Sequence, residues 1–204
     1  MVLLLRSFLM GCLIFLSACT FVKVGLTNEE RKEILNPPKP VTEYVDNHLD
    51  EVITFLQSHK NQFALDEKNK LSNCMLSRAK LVGVVNPENI DIIITKNIPI
   101  PDEGHPLYEF YHTVLGVESG FVGGLTFDNV IYLHPFFAES YEIYIHELVH
   151  VAQYQRFGLE DMLRKYLIDA SIVNYSRIPF ETEAMVRTAN LTETNLKSCK
   201  TLLK

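Results

Sequence analysis

The chain has 204 residues, enough for one domain with a sizeable core. Apolar residues make up 47% and charged residues 22%, the balance of an ordinary globular protein and not of a disordered tail. The formal charge is −6 and no Lys/Arg cluster occurs, which sets a nucleic-acid partner aside.

The first eighteen residues read as a signal peptide. Met1 to Arg6 form a short basic start, and Phe8 to Leu16 are almost continuously apolar. Such a run is too short to span a bilayer, which needs roughly 20 apolar residues, but has the length of a signal-peptide core. The segment Leu16-Ser17-Ala18-Cys19 then resembles the bacterial lipobox, in which small residues precede a cysteine that is lipidated and becomes the mature N-terminus. Leu9-Met10-Gly11-Cys12 resembles it too, but leaves only a few apolar residues after Arg6, so Cys19 is preferred. Several acyl chains on one cysteine anchor a protein stably where a single chain does not. The expected location is therefore the bacterial cell envelope, lipid-anchored. Thr20 stands where an Asp would mark retention in the inner membrane, which favours the outer membrane facing the periplasm. In that oxidising compartment Cys74 and Cys199 form an even pair and are expected to be bridged.

Residues 19–40 are polar and end in Pro37-Pro38-Lys39-Pro40, a composition that reads as a spacer between anchor and domain. The domain is expected over 41–204. From Thr42, Val45, Leu49, Val52 and Leu56 recur at a helical period. A second helix is predicted over 61–82, through Leu71, Met75 and Leu81. The β-branched run 90–95 predicts a strand. Residues 98–106 carry three prolines and a glycine and read as loop, followed by a short helix over 107–115. Two apolar runs, 121–127 and 130–134, flank Asp128-Asn129, the pattern of a hairpin. The run Val130 to His134 reads either as an edge strand that pairs with an extended peptide or as a core strand. A long helix is predicted over 139–157 with Gly158 as its stop, another over 159–173, and a last one opened by Pro179. The expected class is α+β, mostly helical, with a small antiparallel sheet.

Inside the long helix, His146-Glu147-Leu148-Val149-His150 fits the His-Glu-x-x-His pattern of zinc peptidases. Positions i and i+4 share one helix face, so two imidazoles can meet one Zn²⁺ at roughly 2.0–2.1 Å each. Glu147 lies about 100° around the helix, beside the ion without ligating it. There it can take a proton from a zinc-activated water and deliver it to a leaving amine. A third ligand is still required. The metzincin pattern demands Gly at 153 and His at 156, where this chain has Gln153 and Arg156. Glu160 and Asp161 lie just past Gly158, and Glu193 is near the chain end. Glu181 and Glu183, in the first turn after Pro179, remain as candidates.

The stretch Glu181-Thr182-Glu183-Ala184 resembles the gluzincin pattern Glu-x-x-Ala-Asp, whose first Glu is the ligand. That resemblance implies Glu181 as the third ligand, although Met185 stands where the pattern has its histidine-orienting Asp. Together with Gly124-Leu125-Thr126, HELVHVAQYQRFG at 146–158 and PFETEA at 179–184, the chain is similar over roughly residues 70–190 to bacterial proteins of the gluzincin type. The resemblance implies a zincin-like fold and Zn²⁺ held by His146, His150 and Glu181, with Glu147 as catalytic base and then acid. The implied partner is a peptide or protein substrate. The rival expectation is a non-catalytic zinc-binding lipoprotein acting in envelope assembly. Gln153 shares the metal-facing side of the helix and is a candidate to support a ligand, or is simply surface. Tyr175, Arg177 and Arg187 are candidate oxyanion donors. His48, His59, His105, His112 and His134 have no ligand spacing and are read as non-functional.

Overall fold

The structure is a computed structural model that describes residues 25–63, 68–115, 122–193 and 199–204. The expected signal peptide and Cys19 lie outside the described residues. Ten regular elements follow in chain order: α1 (Asn28–Leu35), α2 (Lys39–Gln62), α3 (Asn73–Leu81), β1 (Asp91–Ile94), α4 (Tyr108–Leu115), β2 (Gly124–Phe127), β3 (Val130–Leu133), α5 (Tyr141–Phe157), α6 (Leu159–Ile172) and α7 (Pro179–Glu193). The class is α+β and mostly helical, as expected. Among the described residues no helix is long and apolar enough to cross a membrane.

The sheet is mixed, not antiparallel. Its order is β1-β3-β2, with β1 parallel to β3 and β2 antiparallel to it. The β2–β3 pair is a hairpin closed by Asp128-Asn129, and Asp128 takes a left-handed φ of 57° there. Lys60 on α2 clamps that turn, donating to Asp128 Oδ2 at 2.9 Å and to Asn129 Oδ1 at 2.7 Å. β1 is separated from β3 by the stretch that holds α4, and a connection of that length permits the parallel pairing. β3 is therefore the central strand and not an edge. Val130 and Tyr132 enter one core and Ile131 and Leu133 the other, all fully buried. β1 and β2 are the outer strands; among the described residues β1 takes one further bridge, from Asn69 to Ile92, and β2 pairs only with β3.

Two further differences from the sequence reading have local causes. Residues 28–35, read as part of the spacer, form α1, because Thr27 and Glu30 make a reciprocal capping box and Ile34 reaches the core. α1 lies against α6, and Glu30 pairs with Arg177 beyond it. The helix expected over 61–82 begins only at Asn73. Ser72 accepts from Met75 N as its N-cap, while Asn69 bridges to Ile92 and Leu71 to Leu203. Ser72 also donates its hydroxyl to Thr201 O at 2.6 Å. Cys74 and Cys199 are joined by a disulfide, which fixes the C-terminal segment to α3.

α5 is the central helix, packed by β2, β3, α3, α6 and α7, and it is buried almost all round. Ser140 caps its start through Ile143 N. Gly158 ends it with φ 85°, a left-handed value that lets the chain turn straight into α6 without a Cβ penalty. Pro179 at the first position of α7 then sends that helix back along α5.

Candidate metal centre

α5 presents His146 and His150 on one face, one turn apart, towards the first turn of α7. There Glu181 is buried and lies between them. His146 Nε2 is 3.1 Å from Glu181 Oε2, His150 Nε2 is 3.3 Å from Glu181 Oε1, and the two Nε2 atoms are 3.1 Å apart. Three acceptor-type groups converge so closely only if a proton or a cation lies among them. Ligands at roughly 2.0–2.1 Å in a tetrahedral site lie about 3.3–3.4 Å from one another. The observed separations are close to that, so the trio could hold a metal ion with little rearrangement. Two imidazoles and one carboxylate are a donor set suited to zinc.

The electrostatics support one shared charge balance. Burial works against ionisation of Glu181, but the positive charge of His150 and hydrogen bonds from both imidazoles hold its carboxyl well below the usual carboxylate range. Burial likewise works against a charged His150. The Glu181 carboxylate outweighs it, and with Glu147 and Gln153 pushes the ring up to about 9. The metal-free pair is thus imidazolium and carboxylate, and a cation would replace the proton.

Neighbouring side chains hold these groups in place. Tyr166 on α6 donates its hydroxyl to Glu181 Oε1 at 2.7 Å. Burial first, and the Glu181 charge second, keep that phenol well above its ordinary pKa, so it remains a donor. Gln153, only 1% exposed, meets His150 Nδ1 at 2.8 Å. Glu147, one position along from His146, is buried with its carboxylate turned to β2. Thr126 donates its hydroxyl to Glu147 Oε2 at 2.6 Å. Gly124 leaves the space that the carboxylate fills, since a Cβ there would stand 2.6 Å from Glu147 Oε1.

Of the other sequence candidates, Glu183 is turned away from the trio. Arg156 grips it at 2.7 Å and Arg187 at 2.9 Å. Arg187 also donates to Val82 O, and Arg177 is engaged by Glu30 and Asn174. Tyr175 faces the centre: burial and then the negative charges of Glu181 and Glu147 raise its phenol pKa, although half of the residue surface is open to solvent. Two of the remaining histidines have structural roles, since His48 stacks on Phe110 and His134 caps the turn Pro135–Phe137. His59, His105 and His112 also lie outside the trio. In the sequence Thr126 enters only as part of the Gly124-Leu125-Thr126 resemblance, with no role assigned, and Tyr166 does not enter at all. Their contacts cross from β2 and α6 to other elements, and no local spacing announces them.

Comparison with protein-family models, with curated proteins and with solved structures gives no match for the chain. The geometry of its own residues therefore carries the functional reading.

Proposed function

We propose that this chain is a zinc-dependent peptidase of the gluzincin type, with a zincin-like fold, tethered through a lipidated Cys19 and acting in the bacterial cell envelope. One observation carries the reading. A buried carboxylate outside the trio, Glu147, sits on the same helix as two converging imidazoles and is held from the opposite side by β2, which lies at one end of the strand order.

His146, His150 and Glu181 would hold the zinc, which when bound would supply Lewis acidity and lower the pKa of a water. The chain's residues supply the rest. Glu147 takes the proton of the attacking water on a carboxylate oxygen and passes it to the leaving amine. Tyr175, whose phenol lies near enough to Glu181 and Glu147 to feel both charges, is the candidate to donate its hydroxyl to the carbonyl oxygen as negative charge develops there. In the β2–β3 hairpin Gly123 O accepts from His134 N, so Gly123, Leu125 and Phe127 turn their backbone groups inward. The backbone N–H and C=O of Gly124 and Thr126 consequently face outward, along the edge beside Glu147. An extended peptide pairing there is carried across the base.

The test is zinc content together with activity. The purified protein should carry close to one zinc per chain, lost on Glu181→Ala and kept on Glu147→Gln. Glu147→Gln should also abolish hydrolysis of a susceptible peptide. Full activity in Glu147→Gln would overturn the peptidase reading. A wild-type protein that carries zinc and hydrolyses no peptide in a broad substrate library would point to the non-catalytic lipoprotein instead.

A further inference from the structure

Gln153 uses its whole amide. The Oε1 atom lies 2.8 Å from His150 Nδ1, and Nε2 donates to Phe180 O at 3.0 Å and to Glu183 Oε2 at 3.0 Å. The backbone carbonyl of Phe180 only accepts, and the Glu183 carboxylate, gripped by Arg156 and Arg187, only accepts. The NH₂ group must therefore face Phe180 and Glu183, and the amide oxygen must face the ring. Nothing is left for His150 Nδ1 to do but donate. When the ring gives up its second proton to bind a cation, Nε2 is then the atom whose lone pair faces His146 and Glu181.

We propose that Gln153 is the positioning residue of the metal centre: it fixes the His150 tautomer and locks the ligand-bearing turn of α5 to that of α7. This rests on the zinc-site reading. Two observations extend it beyond a single contact. Phe180 and Glu183 bracket Glu181 on α7, so the same amide that orients one ligand holds α7 on either side of another, through the Phe180 carbonyl and the Glu183 carboxylate. Behind it, Arg156 donates from Nη1 at 3.1 Å and from Nη2 at 2.7 Å, and Arg187 adds a third contact to the same carboxylate. The chain of contacts runs from two guanidinium groups through Glu183 and Gln153 to His150. Glu183 thereby serves the centre indirectly, by holding Gln153 rather than the metal.

The experiment compares wild type with Gln153→Met, similar in length but without hydrogen bonds, and with Glu183→Ala, which removes a half-buried group. Zinc affinity is read by competition with a chromophoric chelator. Nitrogen-15 NMR of the zinc-loaded protein reads which His150 nitrogen is coordinated and whether Nδ1–H exchanges slowly. The expected result is Nε2 coordination with a protected Nδ1–H in wild type. Zinc affinity should fall ten- to hundredfold in Gln153→Met and by less in Glu183→Ala, each with loss of Nδ1–H protection. Coordination through Nδ1 in wild type would overturn the proposal even if Gln153→Met failed to fold. Affinities within twofold of wild type in both variants would also overturn it while leaving the zinc site standing. A wild-type protein that binds no zinc would sink both readings together.

Discussion

The hydroxyl of Thr126 donates to Oε2 of Glu147 at 2.6 Å, joining the edge strand to the buried carboxylate beside the His146–His150–Glu181 trio. The same hydroxyl lies 3.3 Å from Glu147 O, but its single proton is committed to the shorter contact with the carboxylate. A hydrogen bond to a charged group is worth about 1.5–3 kcal/mol, or roughly ten- to hundredfold in rate if it holds the base in its working position. Thr126→Val should therefore lower kcat by about that factor with zinc content unchanged, and Thr126→Ser should restore most of it. Peptide hydrolysis measured beside elemental analysis checks this. Equal rates in Thr126→Val and wild type would show that the contact has no part in catalysis.

Gly124 serves the same carboxylate by what it lacks. An alanine Cβ at 124 would stand 2.6 Å from Glu147 Oε1 and 3.1 Å from the buried Leu133 side chain. The flexible carboxylate yields before the packed leucine does, so Glu147 moves off its seat. Gly124→Ala should lose at least about tenfold in kcat through the displaced base. Its unfolding free energy should stay within about 1 kcal/mol of wild type, because Ala and Gly both rank low as strand residues. Chemical denaturation together with steady-state kinetics separates the two effects. A variant that loses stability and keeps its rate would contradict the assignment.

What can be read from the sequence follows the range of the interactions involved. α5 and its two histidines are legible because a helical period, the His-Glu-x-x-His spacing and Gly158 all lie within one local stretch. α7 is legible from Pro179, and the choice of Glu181 over Glu183 comes from resemblance, not from spacing. The hairpin is legible from Asp128-Asn129. The parallel pairing of β1 with β3 is not, since nothing local to either strand encodes it. The sequence starts α3 too early because the apolar periodicity of 61–82 continues through Leu71, whose burial serves a bridge to Leu203 instead. Gly124 and Thr126 stand in a stretch that enters the resemblance, but their contacts with Glu147, like that of Tyr166 with Glu181, join distant elements and cannot be read from local spacing.

The Cys74–Cys199 bridge spans 125 residues, and it ties to α3 a terminal segment otherwise held by Ser72, Lys70 and Leu71. Closing a loop of that length constrains the unfolded chain by up to about 5 kcal/mol, and removing such a bridge typically costs about 2–5 kcal/mol. Cys74→Ser with Cys199→Ser should lower Tm by several degrees at least, and reduction of the wild-type protein should reproduce the shift. Zinc content should be unaffected, because the bridge ties α3 to the C-terminal segment and neither cysteine belongs to the trio. Loss of zinc in the double variant would show that the two regions are coupled.

Removing the metal gives the centre a pH dependence whose sign is set by its two shifted groups. His150 is raised from 6.5 to about 9 in the metal-free fold. Its contribution to stability is therefore complete below pH 6.5 and drains away as pH rises towards 9. Glu181 is lowered from 4.5, so its contribution is complete above pH 4.5 and is lost only on acidification below that. The chelated protein should thus be most stable between about pH 4.5 and 6.5, as far as these groups determine it, and should weaken from there to pH 9. With zinc bound both ligands are unprotonated and no such decline applies. The gap in Tm between zinc-loaded and chelated protein should accordingly widen as pH is raised from 6.5 to 9, measured at constant free zinc. A gap that stayed constant across that range would mean that His150 carries no proton in the metal-free state. The attraction between its ring and the Glu181 carboxylate would then be too weak to overcome burial.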